Sequence, residues 1–342
     1  MTKLFITIDT EYEAGFTMRR GRDSRQENYR RSIECMTDRG AVGVTYQLDV
    51  FDRFDLKAVF FVDPMPALIW GVAAIEDIVG PIIERGHDVQ LHLHPEWLAL
   101  AGTNNLLPGR TGANMKDFTF DEQCVLIDYA AATLAAAGAP APIAFRAGNY
   151  GANDDTLRAL AALGLAYDSS HCPGIVDSAC KISLGPDDRH PIEYCGVIEV
   201  PTGCIGGPGG LRHAQLTALS VSELLAALQH ARTHRIADFT LVSHSFELLS
   251  RDRTRTNRIV KRRFERLCEG VSAIDGLTTA TYAMMPPAIS PAAGPRPVLP
   301  FNGARTALRI AEQAVVNALY GEPRARMGVS INAPADRCAA PG

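Results

Sequence analysis

Short apolar runs alternate along this chain with stretches whose apolar residues return every three or four positions. The runs are Leu4 to Ile8, Ala58 to Val62, Asp88 to His94, Ile143 to Arg146, Ala166 to Ser169, Val197 to Pro201, Phe239 to Ser243 and Leu277 to Thr281. Their length and β-branched or aromatic content predict strands. The helical pattern appears first over residues 44 to 54, through Val44, Leu48, Phe51 and Phe54. It returns from Ile75 to Arg85, stopping at Gly86, and from Asp121 to Gly138, with Asp121 as the expected cap. Further helices are predicted from Asn153 to Leu163, Ser222 to His234 and Thr256 to Glu269. Residues 12 to 32 are polar and Arg-rich without an apolar stripe, which predicts a long loop over one end of the fold.

Strands that alternate with helices in this rhythm pair in parallel through βα units. The expected fold is therefore α/β: a distorted (β/α) barrel of seven or eight strands, spanning residues 1–285. Pro286 to Pro300 is a proline-rich run, giving a connector over 286–303. Residues 304–320 repeat Leu308, Ala311, Val315 and Leu319 at helical spacing. That helix is expected to dock on the barrel or on a second subunit of a homo-oligomer. Residues 321–342 read as a disordered tail.

Composition narrows the function. The 342 residues are 46% hydrophobic and 21% charged, as in ordinary globular proteins. A net charge of -4 argues against a nucleic-acid partner. One basic cluster stands out, with Arg251, Arg253, Arg255, Arg258, Lys261, Arg262, Arg263 and Arg266. It reads as a solvated helix face with its leading loop, or as a contact surface for an anionic substrate or lipid headgroup. The N-terminal apolar run is too short for a signal peptide, and no transmembrane segment is expected, so the cytoplasm is the expected compartment. The eight cysteines form no C-x-x-C pair and are expected to be reduced thiols.

Chemistry in such barrels gathers at the carboxyl ends of the strands. The first strand ends in Asp9-Thr10-Glu11, and a later one in His92-Leu93-His94-Pro95-Glu96-Trp97. Others lead into Arg146-Ala147-Gly148-Asn149-Tyr150, Asp168-Ser169-Ser170 and Ser243-His244-Ser245. Residues two apart on an extended chain face the same way, so Asp9 with Glu11 and His92 with His94 form two same-facing pairs. Two histidines and one carboxylate leave open positions on a zinc-like ion. Either acid can be the ligand, and Glu96 is a weaker candidate. Arg146 behind a carboxylate would tune its basicity, His244 would serve as a general acid, and Asp168 would cap or orient.

These residues resemble the polysaccharide deacetylase (NodB-homology) family. T-I-D-T-E stands where the family has its acid pair, and G-H-D-V-Q-L-H-L-H-P stands where it has its metal histidines. F-R-A-G-N-Y-G and T-L-V-S-H match its arginine turn and its last histidine strand, in the same order. Two features depart from the pattern: Thr10 separates the acids, and only Leu93 separates the histidines. The resemblance implies a divalent metal, Zn2+, held by Glu11, His92 and His94. It implies Asp9 as base, Arg146 as its orienter and His244 as acid. Asn149, Tyr150, Trp97 and Asp168 are expected to contact substrate. The implied activity is metal-assisted removal of an acyl group, acetyl first of all, from an N-acylated sugar, glycan or lipid precursor. The alternatives are a hydrolase of small amides or cyclic ureides, and a carbohydrate-binding protein without catalysis.

Overall fold

A computed structural model of the chain describes residues 1–175, 177–289 and 297–321. Nine strands form one sheet: β1 (Thr2–Thr10), β2 (Val59–Val62), β3 (Asp88–Leu93), β4 (Ala144–Ala147), β5 (Tyr167–Asp168), β6 (Ile192–Tyr194), β7 (Val197–Glu199), β8 (Asp238–His244) and β9 (Leu277–Thr279). Their order is β8-β1-β2-β3-β4-β5-β7-β6, with β9 paired to the start of β1. All pairings are parallel except β6 with β7. The sheet curls but does not close by strand pairing. Irregular backbone after β7 spans the seam, where Gly203 donates to the Thr240 carbonyl at 2.8 Å and Leu216 to that of Val242 at 3.1 Å. The expected distorted α/β barrel is thus present as a curled, mostly parallel sheet that forms a half-barrel.

Alternation along the strands sorts residues between two layers. Leu4, Ile6 and Ile8 of β1, Phe60 and Val62 of β2, and Val89, Leu91 and Leu93 of β3 point outward into the main core. Phe5, Val59, Phe61 and Ala144 point inward and meet Tyr282, which plugs the barrel floor. Both faces of the sheet are covered, so its strands read as nearly continuous apolar runs. The outer layer consists of α1 (Val44–Arg53), α2 (Ala73–Glu84), α3 (Phe120–Ala136), α4 (Asp154–Ala162), α5 (Val221–Thr233) and α6 (Arg258–Ser272). A last helix, α7 (Gly303–Tyr320), lies against α5 and α6 through Arg309–Glu223 and Arg263–Glu312.

Three local expectations need correction. The cap of α3 is Thr119, not Asp121: Thr119 and Glu122 exchange hydrogen bonds in a capping box. Ser220 and Glu223 do the same for α5, so Ser222 lies inside that helix. Residues 12 to 32 are not a loop but a chain of short helices, Ala14–Arg20, Arg25–Asn28 and a π turn at Tyr29–Ile33. Polar side chains hold them: the fully buried Asn28 amide accepts from the Glu13 N–H at 3.0 Å and donates to its carbonyl at 2.8 Å. An apolar stripe is unnecessary when an amide side chain pins the backbone. The tail, apart from Gly321, and the middle of the connector lie outside the described residues.

Candidate metal centre and active site

The inward columns of the sheet change character with height. On β1 the column runs Phe5, Thr7, Asp9 and continues to Glu11; on β3 it is Asp88, Gln90, His92 and His94; on β4 it is Ala144 and Arg146. The period of two carries each column from the barrel floor to the carboxyl rim. There Asp9, Glu11, His92, His94, Ala147, Asn149, Tyr150 and His244 line a cavity of about 70 Å³. Sequence residues as far apart as β1 and β8 meet because those strands are neighbours, with Asp9 directly opposite His244.

Three ligand atoms converge. Glu11 Oε2 lies 3.1 Å from His92 Nε2 and 2.5 Å from His94 Nε2, and the two nitrogens are 3.2 Å apart. Ligands at about 2.0–2.2 Å from one tetrahedral ion stand more than 3 Å from each other. The two edges at 3.1 and 3.2 Å are close to that separation, whereas the 2.5 Å edge is that of a hydrogen-bonded pair, which an ion would have to open. His92 Nδ1 lies 2.7 Å from the Arg146 carbonyl, which accepts from it and leaves Nε2 free to coordinate. His94 has no such partner on its buried Nδ1; its ring is held by packing against Gly148, where a Cβ would come within 2.6 Å. Burial by itself favours neutral imidazole, yet Glu11 raises the pKa of His94 to about 10, so the site calls for positive charge. The donor set therefore suits a divalent cation.

The neighbouring carboxylate is bound differently. Arg146 is fully buried, and its Nη1 donates to Asp9 Oδ1 at 2.6 Å and to the Thr7 hydroxyl at 2.9 Å. Its Nε donates to the Ser169 carbonyl at 3.1 Å, and its guanidinium stacks 4.3 Å from the centre of the Phe61 ring. Taking a guanidinium out of water costs several kcal/mol, which this full set of partners offsets. Burial by itself would raise the Asp9 pKa, but Arg146, with help from His92 and His244, holds it below the usual range. Asp9 Oδ2 is left facing His244 Nε2 at 3.8 Å.

His244 has a partner that the sequence reading missed. Glu247 accepts from His244 Nδ1 at 3.0 Å and from the Ser243 hydroxyl at 3.0 Å, and also bonds Thr217 and Gln215. Burial alone would lower the pKa of His244, but Glu247 and then Asp9 raise it to about 9. The only hint in the sequence was an acid three residues beyond a strand-end histidine. Asp63 at the end of β2 was also missed. It accepts from the His94 backbone N–H at 3.4 Å, and burial pushes its carboxyl up to about 6.

The other expected site residues divide. Asn149 and Tyr150 do line the cavity, both in the left-handed region at φ 55° and 56°. Two such non-glycine residues in succession store backbone strain, and the Tyr150 hydroxyl is buried without a hydrogen-bond partner. Trp97 is fully buried in the core against Trp70 and does not reach the cavity. Asp168 is buried behind the arginine turn, bonded to Ser170, whose hydroxyl in turn accepts from the Ala147 N–H. Glu96 is not among the converging ligands.

No family model matches the chain, and no curated protein does. Among solved structures, a putative polysaccharide deacetylase from Mycobacterium smegmatis superimposes with a TM-score of 0.53, at 18% identity, over 86% of this chain and 94% of that one. A family 4 carbohydrate esterase from Streptomyces lividans, in complex with acetate, aligns at 12% identity over 85% of this chain and 98% of that one, with a TM-score of 0.43. This chain thus shares the curled, mostly parallel α/β architecture of the Mycobacterium smegmatis protein, a likeness of fold.

Proposed function

We propose that this protein is a metal-dependent hydrolase that removes a small acyl group, acetyl first of all, from an N-acylated sugar or sugar-containing precursor. The reading rests on one observation: the Glu11, His92 and His94 ligand atoms converge beside a carboxylate that Arg146 holds ionised. A divalent ion there, such as zinc, would polarise the amide carbonyl and acidify a water molecule. Asp9 is the base, since Arg146 occupies Oδ1 and leaves Oδ2 toward the cavity to take the water's proton. His244 is the acid. Glu247 holds its Nδ1–H, which turns Nε2 toward the cavity, and the raised pKa keeps that nitrogen protonated at neutral pH. The C–N bond breaks as a C–O bond forms, and the nitrogen leaves as an amine with the proton from His244. A cavity of about 70 Å³ suits a short acyl group rather than a whole sugar ring, which would lie outside it. Asn149 and the unpartnered Tyr150 hydroxyl are placed to contact the substrate.

The test pairs elemental analysis of the purified protein with an amine-release screen over N-acetylated sugars, simple amides and cyclic ureides. About one divalent ion per chain with release from acetylated sugars supports the reading. A metal-loaded protein active only on ureides or non-sugar amides would overturn the substrate assignment. Failure to bind any divalent ion would overturn the mechanism.

A further inference from the structure

The proposed reaction leaves unused the arginine cluster that stands out in the sequence. Its first members wall a second cavity, of about 520 Å³, between residues 246–260 and α7. That volume lies within the range of about 300–1,000 Å³ usual for small-molecule sites. Arg212, Arg251, Arg253 and Arg309 line it, and Glu247 is the one carboxylate on its wall among the described residues. Glu247 is already committed, accepting from His244, Ser243 and Thr217.

The positive charge is only partly balanced. Arg253 lies 3.2 Å from Glu13, and Arg309 lies 3.4 Å from Glu223. Arg309 is nine-tenths buried, and its Nε faces Glu223 without making a hydrogen bond, so that carboxylate balances its charge by proximity alone. Arg212 makes one weak contact, 3.5 Å to the Ala218 carbonyl, and among the described residues neither Arg212 nor Arg251 pairs with a carboxylate. Burial and then the Arg309 guanidinium disfavour charge on Arg212, and Glu223 offsets them only in part. Apolar walls, Val260 and Val316 among them, reduce screening by water and focus the field of these guanidinium groups. Such a set gains when an anion with several oxygens completes it, because each guanidinium presents a planar fork of donors.

We infer that this cavity binds a small phosphate-bearing molecule through Arg212, Arg251 and Arg309, at a site separate from the metal centre. Phosphate fits better than a single carboxylate, since more than one guanidinium must be satisfied and a phosphate offers more oxygens and more charge. The two sites share a wall: Phe246 stacks 5.1 Å from the His244 ring on one side and faces the cavity on the other. The inference concerns binding alone and does not depend on the hydrolase reading.

The test is calorimetric titration of the full chain with inorganic pyrophosphate at constant ionic strength, with succinate as the dicarboxylate comparison. Saturable one-to-one binding is expected. Arg212→Gln should raise Kd about tenfold, the loss expected of one charge-assisted contact pair. Arg251 is exposed, so Arg251→Gln keeps the fold intact and should raise Kd a few-fold. Arg30→Gln, on an exposed arginine that does not line the cavity, and Glu11→Gln, in the metal centre, should leave Kd unchanged. Absence of saturable binding overturns the inference. So does an equal loss in Arg30→Gln, which marks nonspecific attraction, or a loss in Glu11→Gln, which places the anion on the metal. Tighter binding of succinate than of pyrophosphate overturns the phosphate assignment.

Discussion

Asp9 and Glu11 stand two residues apart at the end of one strand and carry the same functional group, yet their surroundings differ. Asp9 faces a permanent cation: Arg146 is fully buried, held from several sides and unable to lose its proton. Glu11 faces two imidazole nitrogens, groups that can each be neutral and coordinate. The protein thus balances one charge with a fixed cation and the other with imidazoles that can hold either a proton or a metal ion. In the proposed reaction, environment rather than residue type divides the labour between the two carboxylates. In the proposed reading Glu11 is the ligand of the two, because its oxygen lies against both histidine nitrogens.

The largest effect should come from removing each acid in turn. Asp9→Asn keeps the shape and the metal ligands but removes the proposed base, so turnover should fall by about a thousandfold with metal content unchanged by elemental analysis. Glu11→Gln should lose both activity and metal. Equal metal loss in the two variants would erase the contrast. Next in size is Arg146→Met, which leaves Asp9 buried without its partner. Breaking a buried pair from one side costs about 3–5 kcal/mol, measurable as a lower urea midpoint. The double variant Asp9→Asn with Arg146→Met should recover part of that loss, because the orphaned charge is gone.

Much of this arrangement was legible in the sequence, for a definite reason. Strand ends carry their chemistry in period two, so D-T-E and H-L-H declare a common face before any coordinates exist. Arg146 and His244 followed from the same rule, each closing an apolar run. Trp97 misled because it follows the histidines directly, but the chain turns at Pro95 and swings the indole into the core. Glu247 was hard to see because it shares no strand face with His244, whereas Asp63 continues the inward column of Val59 and Phe61, so the same rule could have found it. They reach the site through a turn after β8 and through the end of β2. The helical segment after Glu13 was missed because Asn28, rather than an apolar stripe, organises it.

A smaller effect should follow at Gly148, where the contrast between the two histidines can be sharpened. His92 has a hydrogen-bonded Nδ1, whereas His94 relies on close contact with a residue that has no side chain. Gly148→Ala puts a methyl group 2.6–2.7 Å from three atoms of the His94 ring, so that ring has to move. Metal affinity should fall about tenfold, the lower end of what disturbing a ligand's support produces, as read by competition with a chelating dye. Unchanged affinity would mean that the His94 ring can shift without leaving the ion.

The smallest expected effect concerns His244, and it tests whether the acid, like the base, is set by one fixed partner. The groups that face it are Glu247 on its own segment and Asp9 and Glu11 on β1. Its pKa of about 9 means that the protonated form dominates at neutral pH and is lost as pH rises through that value. Activity should therefore fall on the alkaline side near pH 9. The part of stability owed to this proton is complete below the unfolded histidine value of about 6.5 and disappears over the same rise. Glu247→Gln removes the nearest negative charge but can still accept from Nδ1, so the alkaline limb should move down toward neutrality while the acid limb stays. A limb that stays near 9 in that variant would transfer the effect to Asp9. One carboxylate would then set both the base and the acid of the site, and the division of roles between neighbouring charges would stop at Glu11.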